Sequence, residues 1–452
     1  MKIVIAGCGK IGTSLISNLV AEGHDVTAVD VDQQAITEVT NVFDVMTVCG
    51  DATDSEILKE AGVEGARLFI ATTHSDEVNM LGSIIARKMG ARHTVARIRN
   101  PKYSEQSLEF LSHQLELSLH VNPEQLTAHD IYNVLKFPSA EKIEKFASGD
   151  FEMIEIKITE SSSLCNTKLY ELKNKYKAKF LICAVMRDSD VYIPGGNFEL
   201  KQGDRIGIVA SRHEVYKLLK QLGALKKQAK SVMIIGCGTT SYYLAKRLIA
   251  TGTEVKMVEK DPDVAKEFSK ILPEATIICG DGAKPELLLE EGVRSVDAFV
   301  SLTGMGEQNI LLSCFAQAQD VSKVITKINK TEFVSTAHRL GLESVVSSKS
   351  AVTDVVVRYA RALQNSLGTK VEALYKLMDG KIEALEFNVT TDAEYTKVPL
   401  KELQLKNNIL IAGILRKKRA IIPAGDDVIQ IGDKIIIMAS GHIITDLSDI
   451  LK

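Results

Sequence analysis

The chain is written twice. IAGCGKIG at 5–12 returns as IIGCGTTS at 234–241, and VDVD at 29–32 returns as VEKD at 258–261, both 229 residues on. CGDATDSEILKEAGV (49–63) returns as CGDGAKPELLLEEGV (279–293), DEVNML (76–81) as GEQNIL (306–311) and ARIRN (96–100) as TKINK (326–330), all displaced by 230. Farther on, IPGGNFELKQGDRIGIVAS (193–211) recurs as IPAGDDVIQIGDKIIIMAS (422–440), again at 229. Whatever one unit folds into, the chain must hold two of them. Each unit divides into a larger and a smaller piece, so four domains are expected in alternation. The larger pieces are 1–136 and 230–365, and the smaller are 137–225 and 366–452. QLGALKKQAKS (221–231) reads as the linker between halves.

A length of 452 residues agrees with several cores rather than one. Hydrophobic residues at 45% and charged residues at 25% fit a soluble chain. A net charge of −3 gives no reason to expect nucleic acid as partner. No apolar run is long enough to cross a bilayer, and MKIVIAGCGK reads as a strand rather than a signal peptide. The expected location is therefore the cytoplasm, with no direct membrane insertion. The seven cysteines form no CxxC or Cys/His cluster, so neither a disulfide framework nor a metal site is indicated. Cys8 with Cys237 and Cys49 with Cys279 recur in the repeat and read as small strand-end residues rather than redox sensors.

In the larger piece, KIVIAG (2–7) is a continuous apolar strand, and IGTSLISNLVAEGH then carries helical spacing up to Gly23. DVTAVD (25–30), DVMTVCGD (44–51), ARLFIATT (66–73) and HTVARIRN (93–100) read as further strands, with helices at 54–62 and 76–89. LSLHV (117–121) supplies a sixth strand and 123–136 a helix. Strands alternating with helices predict an α/β, Rossmann-like doubly wound parallel sheet. Gly7, Gly9 and Gly12 sit directly after a strand and before a helix, the context that gives GxGxxG meaning. Amides from Cys8 through Lys10 to Ile11, with the positive end of the helix, would hold a pyrophosphate. Asp30 ends the second strand, where a carboxylate accepts ribose hydroxyls. No arginine follows Asp30, which favours NAD over NADP. Asp51, Thr72, Thr73 and Arg97 fall at C-terminal strand ends, where such sheets bind ligands, with Arg99 two residues beyond Arg97 on the same face.

The second copy departs from the first. Gly236, Cys237, Gly238, Thr239 and Thr240 form its loop, but Ser241 stands at the third glycine. Glu259 replaces Asp30, Asp281 matches Asp51, Leu302 replaces Thr72 and Lys327 replaces Arg97. An adenine nucleotide is still expected there, with a different affinity or preference. A lysine offers a point charge where an arginine forks two oxygens.

The smaller piece starts after 137–150, which reads as a connection. FEMIEIKI (151–158), KFLICAVMR (179–187), DVYIPGG (190–196) and DRIGIVAS (204–211) are short strands, and 212–222 is a helix. This predicts a small α+β domain with a mostly antiparallel sheet, repeated at 381–450, without titratable groups at catalytic spacing.

GCGKIG with Asp30, CGDAT, ATTHSDEVNML, ARIRNPKY and the IPGG…GDRI.IVA tail, in that order and doubled, resemble the cytosolic regulatory proteins of Trk potassium-uptake systems, the TrkA family, built from RCK domains. The resemblance covers almost the whole chain. It implies a ring, of dimers or tetramers, docked on the inner face of the membrane against a TrkH-like membrane potassium-transport subunit. It also implies NAD(H), or ATP or ADP, in the larger domains, with ligand-dependent rearrangement of the ring gating the pore. Carried over, the first site is Gly7 to Ile11, Asp30, Thr72, Thr73 and Arg97, the second Gly236 to Thr240 and Glu259, with Asp51 and Asp281 on the adenine side. Helix 123–136 would be the crossover that pairs two such domains. An RCK regulator of another channel or antiporter is the nearest alternative. An NAD-dependent dehydrogenase is the more distant one, since His74 is the sole histidine near the nucleotide mouth and Gly304 replaces it in the repeat.

Overall fold

The computed structural model describes residues 1–452 apart from 104, 147–149, 189, 225–227, 366–370, 379, 443 and 445. Buried apolar runs open the first sheet: β1 (Lys2–Ala6), β2 (Asp25–Asp30), β3 (Met46–Cys49), β4 (Leu68–Ala71), β5 (His93–Arg97) and β6 (Leu119–Val121). Between them run α1 (Lys10–Ala21), α2 (Gln33–Val42), α3 (Ser55–Glu60), α4 (Asp76–Met89) and α5 (Glu105–Gln114), and α6 (Pro123–Lys136) follows. The order β3-β2-β1-β4-β5-β6, all parallel, is the doubly wound arrangement expected. Ile3, Val4 and Ile5 are fully buried because helices cover both faces.

The first small sheet contains β7 (Lys142–Phe146), β8 (Phe151–Lys157), β9 (Leu181–Arg187), β10 (Asp190–Tyr192) and β11 (Arg205–Ala210), with α7 (Leu169–Lys175) and α8 (Arg212–Gln221). It is antiparallel, in the order β10-β9-β11-β8-β7. The span 137–150, expected to be only a connection, holds the edge strand β7, in register with β8 through Ile143↔Ile154 and Phe146↔Phe151. Its polar residues hid it: Lys142 Nζ lies 3.0 Å from Glu144 Oε1, a salt bridge that lets charges sit on a packed strand.

The second half repeats the plan. β12 (Ser231–Ile235), β13 (Glu254–Glu259), β14 (Thr276–Cys279), β15 (Ala298–Ser301), β16 (Lys323–Lys327) and β17 (Ser344–Val346) form a parallel sheet in the order β14-β13-β12-β15-β16-β17. Its helices are α9 (Thr239–Ile249), α10 (Pro262–Ile271), α11 (Pro285–Glu290), α12 (Gly306–Ala318), α13 (Val334–Arg339) and α14 (Ser348–Asn365). The last sheet, β18 (Val371–Leu377), β19 (Ile382–Asn388), β20 (Ile409–Arg416), β21 (Arg419–Ile421) and β22 (Lys434–Ala439), is antiparallel in the order β18-β19-β22-β20-β21.

The halves are joined by exchange. Ile131, Tyr132 and Leu135 of α6 are buried among Val232, Leu244 and Leu248 of the second parallel sheet and its α9. Val352, Val356 and Ala360 of α14 are buried among Ile3, Leu15 and Leu19 of the first. The small sheets meet face to face, with Phe151, Met153 and Met186 against Leu377, Ile436 and Met438. Each small sheet also holds a half-buried two-pronged ion pair at the same repeat position. Arg187 donates to both oxygens of Asp204 at 2.8 Å, and Arg416 does so to Asp433 at 2.8 and 2.7 Å. No helix among the described residues is long and apolar enough to cross a membrane.

Candidate nucleotide sites

β1 ends at a turn that only glycine makes comfortably. Gly7 has φ +99°, and a Cβ there would lie 2.7 Å from the Thr72 carbonyl carbon. A Cβ on Gly12 would fall 1.8 Å from the Gly7 oxygen, so α1 seats directly on the loop. The first intrahelical bond of α1 runs from Thr13 N to Gly9 O at 2.9 Å, which leaves the preceding amides, Gly9 to Gly12, outside the helical ladder. Cys8 is different from the expectation. Its amide donates to Asp30 Oδ2 at 2.5 Å, so the amides left outside such a bond are those from Gly9 through Lys10 and Ile11. Asp30 Oδ1 accepts from Asp32 N at 3.0 Å, and each oxygen keeps a further lone pair.

Thr72 has a part in the loop itself. Its hydroxyl is buried and faces Ala6 O and Gly7 O at 3.3 and 3.2 Å, closing the loop. Thr73 is held by Asn79, whose Oδ1 accepts from its amide and its hydroxyl at 2.8 Å each. Asn79 Nδ2 donates to Arg97 O at 2.9 Å and to Thr73 O at 3.2 Å. This fully buried asparagine ties the ends of β4 and β5 together, and it escaped the sequence reading although it recurs as Asn309 inside the quoted repeat. Arg97 Nη1 donates to Thr73 O at 2.9 Å, while its Nε is buried without a hydrogen-bond partner. Burial and the neighbouring Arg99 push the Arg97 guanidinium below its usual pKa. Arg99 lies past the end of β5 rather than on it, its amide held by Asp76 Oδ2 at 2.9 Å. Asp51 spends one oxygen on the amide and hydroxyl of Thr53, both at 2.8 Å.

The structure brings these residues around one cavity of about 610 Å³. Gly7, Gly9, Lys10, Ile11, Asp30, Asp51, Thr72, Thr73, His74 and Arg97 all line it. So do Glu124 from the start of α6 and, from the second half, Lys327, Asn329, Ser348 and Lys349. That volume suits a nucleotide-sized ligand. The Cys8 thiol is buried beside Asp30 and is pushed up to about 12, which keeps it protonated and unreactive at neutral pH.

The second loop is built alike with altered parts. Gly236 has φ +95°, and Cys237 N donates to Glu259 Oε2 at 2.7 Å. Ser241 Oγ donates to Gly236 O at 2.6 Å, which turns the added side chain into a brace for the loop. Gly238 caps α9 without a side-chain bond, Thr239 opens the helix, and the Thr240 hydroxyl is buried without a partner. Asn309 Oδ1 accepts from Thr303 N and Oγ1 at 3.0 and 2.7 Å, and its Nδ2 donates to Lys327 O at 2.9 Å. Asp281 Oδ1 accepts from Ala283 N at 3.0 Å. Where Asp76 anchors the segment after β5, the second copy has Gly306.

Two parallel Rossmann-type sheets with glycine loops, strand-end acids and paired antiparallel domains define a duplicated protein of the dinucleotide-binding fold class. The TrkA-N domain model matches residues 3–113 and 232–348, and the TrkA-C domain model matches 153–223 and 384–452. The chain belongs to the TrkA family. It is 28% identical over 452 residues, the full length of both chains, to the Trk system potassium uptake protein TrkA homolog of Archaeoglobus fulgidus. Against the Trk system potassium uptake protein TrkA of Haemophilus influenzae it is 28% identical over 447 residues, 97% of this chain and 96% of that one. Among solved structures, the GsuK RCK domain superposes with a TM-score of 0.64 at 15% identity, covering 97% of this chain and 92% of that one. The GsuK channel bound to NAD gives 0.64 at 16% identity, covering 97% and 77%.

Proposed function

We propose that this chain is the cytosolic nucleotide-binding regulator of a Trk-type potassium uptake system, which assembles into a ring and gates a TrkH-like membrane subunit. The observation that carries this reading is the position of the first cavity, whose walls come from both halves of the chain. A ligand held there contacts two bodies joined by exchanged helices, so its binding energy depends on their relative placement. A ligand drives such a change only as far as its affinity differs between the two arrangements. Turning a mostly shut gate mostly open takes about 5.5 kcal/mol of differential binding, which several sites in a ring could supply in shares.

In this reading Gly9 to Ile11 hold phosphate, Asp30 holds ribose hydroxyls, and Asp51 stands on the adenine side. The second site uses Gly238 to Thr240 with Glu259 and Asp281. NAD(H), ADP and ATP are the candidate ligands; relatives named as Trk potassium uptake proteins and GsuK structures bound to NAD and to ADP support the choice. The protein sits at the inner face of the membrane through its partner.

The test is calorimetric titration of NADH, NAD⁺, ATP and ADP into the whole chain, repeated with Asp30→Ala and Glu259→Ala. Each substitution is expected to remove one class of sites by about thirty- to a hundredfold, the loss of a charged hydrogen bond, with NADH left unconsumed. Absence of binding, or indifference to both carboxylates, would leave the glycine loops as structural turns and end the proposal.

A further inference from the structure

The two small domains carry the same hairpin with opposite charge. RDSD (187–190) joins β9 to β10, and RKKR (416–419) joins β20 to β21, residue for residue 229 apart. The base of the hairpin is kept: Asp204 grips Arg187 and Asp433 grips Arg416, each by two hydrogen bonds. Only the tip differs. The first carries Asp188 and Asp190 and the second Lys417, Lys418 and Arg419, all five exposed. None of the five joins an ion pair among the described residues. Local folding does not call for these charges. Lys417 and Lys418 have φ +48° and +64°, left-handed backbone in a two-residue turn that asparagine and glycine make more easily. Lysine strains such a turn, and two adjacent like charges repel, so neither residue is there for the sake of the hairpin. β10 and β21 are also the last strands of their sheets, so each tip stands beside an open edge. An edge that bears one sign of charge resists pairing with its own kind, and two edges of opposite sign meet no such bar.

We infer that the acidic β9–β10 hairpin of one copy docks against the basic β20–β21 hairpin of the next, a head-to-tail contact between the small domains of neighbouring chains. That contact deepens the ring proposed above and rests on that reading. The occupant is a second copy because the chain itself supplies both signs of charge, two negative against three positive, at equivalent places of one fold. Within a chain the tips stay unpaired, since the small sheets already meet through Phe151, Met153 and Met186 against Leu377, Ile436 and Met438. Between copies, acid against acid or base against base is repelled, which excludes a symmetric pairing through this hairpin. A contact between unlike patches is heterologous, and successive copies close into a ring where the rotation between them allows it. Exposed charges act chiefly on the rate of encounter and its salt dependence. The hairpins therefore steer neighbouring copies into one orientation and leave most of the holding to other surfaces.

The test is an exchange of charge in the full chain. Asp188→Lys with Asp190→Lys makes both tips basic, and Lys417→Glu, Lys418→Glu and Arg419→Glu together make both acidic. Self-association is followed by sedimentation velocity at low and at high salt. Each variant alone is expected to associate about tenfold more weakly than the parent at low salt, the scale of a few exposed ion pairs turned into repulsions. An equimolar mixture of the two should recover the parental association to within about twofold, since every contact of an alternating assembly again joins unlike tips. High salt should erase these differences. Asp188→Asn with Asp190→Asn keeps the turn and should weaken association by about threefold, a second reading if a reversal fails to fold. Lys401→Gln, which breaks only an exposed pair with Asp426 of the same domain, is the charge control and should change nothing. Variants that associate as the parent does, or a mixture no tighter than its parts, would overturn the inference. So would a basic tip that binds vesicles containing phosphatidylglycerol while association between copies ignores it, which assigns the tip to the membrane. Nucleotide titration of the same variants separates the failures. Assembly and nucleotide binding that both ignore the tips defeat this inference alone, whereas a parent that neither assembles nor binds nucleotide defeats the functional reading with it.

Discussion

The two glycine loops are the same device under different tension. In the first, Gly12 lets α1 press against Gly7, Thr72 closes the loop from β4, and Asp76 fixes the segment carrying Arg99. In the second, Ser241 braces Gly236 directly, Leu302 fills the place of Thr72, and Gly306 leaves the matching segment without a carboxylate anchor. What did not change is the acid bonded to the loop amide and the asparagine that joins the fourth and fifth strands. Duplication has kept the strand-end acid and the asparagine clamp and varied the parts that seat the loop, so one fold carries two differently braced loops.

The shared asparagines give the largest expected effect. Asn79→Ala and Asn309→Ala each strip partners from a strand-end amide, a hydroxyl and a carbonyl, groups that cannot all reach water. Each should lower unfolding free energy by about 3 kcal/mol, since every orphaned buried group costs roughly 1–3 kcal/mol. Denaturant titration of the two variants would show nearly equal losses if the clamp is common to both copies. A large inequality would mean that one sheet carries the stability of its half.

The glycines should separate the copies. Gly7 and Gly236 have nearly the same backbone angle, φ +99° and +95°, so alanine strains both alike. Space differs: the added carbon meets backbone of Thr72 and Thr73 at 2.7 Å in the first loop but Leu302 O at 3.2 Å in the second. Gly7→Ala should cost about 2–3 kcal/mol and Gly236→Ala about 1–2 kcal/mol, on the scale of a strained residue with and without a clash. Equal losses would show that the second loop is as tightly seated as the first, against the bond lengths described.

Much of this was legible beforehand, for physical reasons. A buried parallel strand must be nearly all apolar, so KIVIAG announced the parallel sheet, and the glycines of GCGKIG announced the tight turn that seats α1 on it. The duplication was visible because each half must fold by the same rules. Three features stayed hidden. β7 is a strand whose charges pair with each other, Lys142 with Glu144, so its pattern read as a connection. Thr72 sits just past the C-terminal end of β4, but hydroxyl direction depends on local backbone that no one-dimensional pattern carries. The contribution of Lys327 and Lys349 to the first cavity depends on how the halves dock, and docking is set by α6 and α14 packing across the halves rather than by either repeat alone.

Those two helices offer the smallest and sharpest contrast. Each begins at the cleft, yet the eighth residue of α6 is Asp130 while the eighth of α14 is Val355. Asp130 stands among Glu144, Lys142, Asp354 and Arg358, and desolvation in that packed cluster with the carboxylates of Glu144 and Asp354 raises its pKa to about 7, against the pull of Lys142 and Arg358. An acid whose folded pKa exceeds its unfolded value of 3.8 binds its proton more tightly when folded. Stability therefore falls as pH rises between those values, and the penalty is complete once Asp130 is ionised above about 7. Asp130→Asn removes that ionisation. It should stabilise the chain by about 1 kcal/mol at pH 8.5 and make little difference or cost slightly at pH 5, where the carboxyl is already neutral. Thermal melts at the two pH values decide it. A gain confined to the higher pH marks Asp130 of the first crossover helix as a pH-responsive group. A loss at both would mean that ionised Asp130 is held by Lys142 and Arg358 as a working ion pair, and that the helices differ in charge but not in their response to pH.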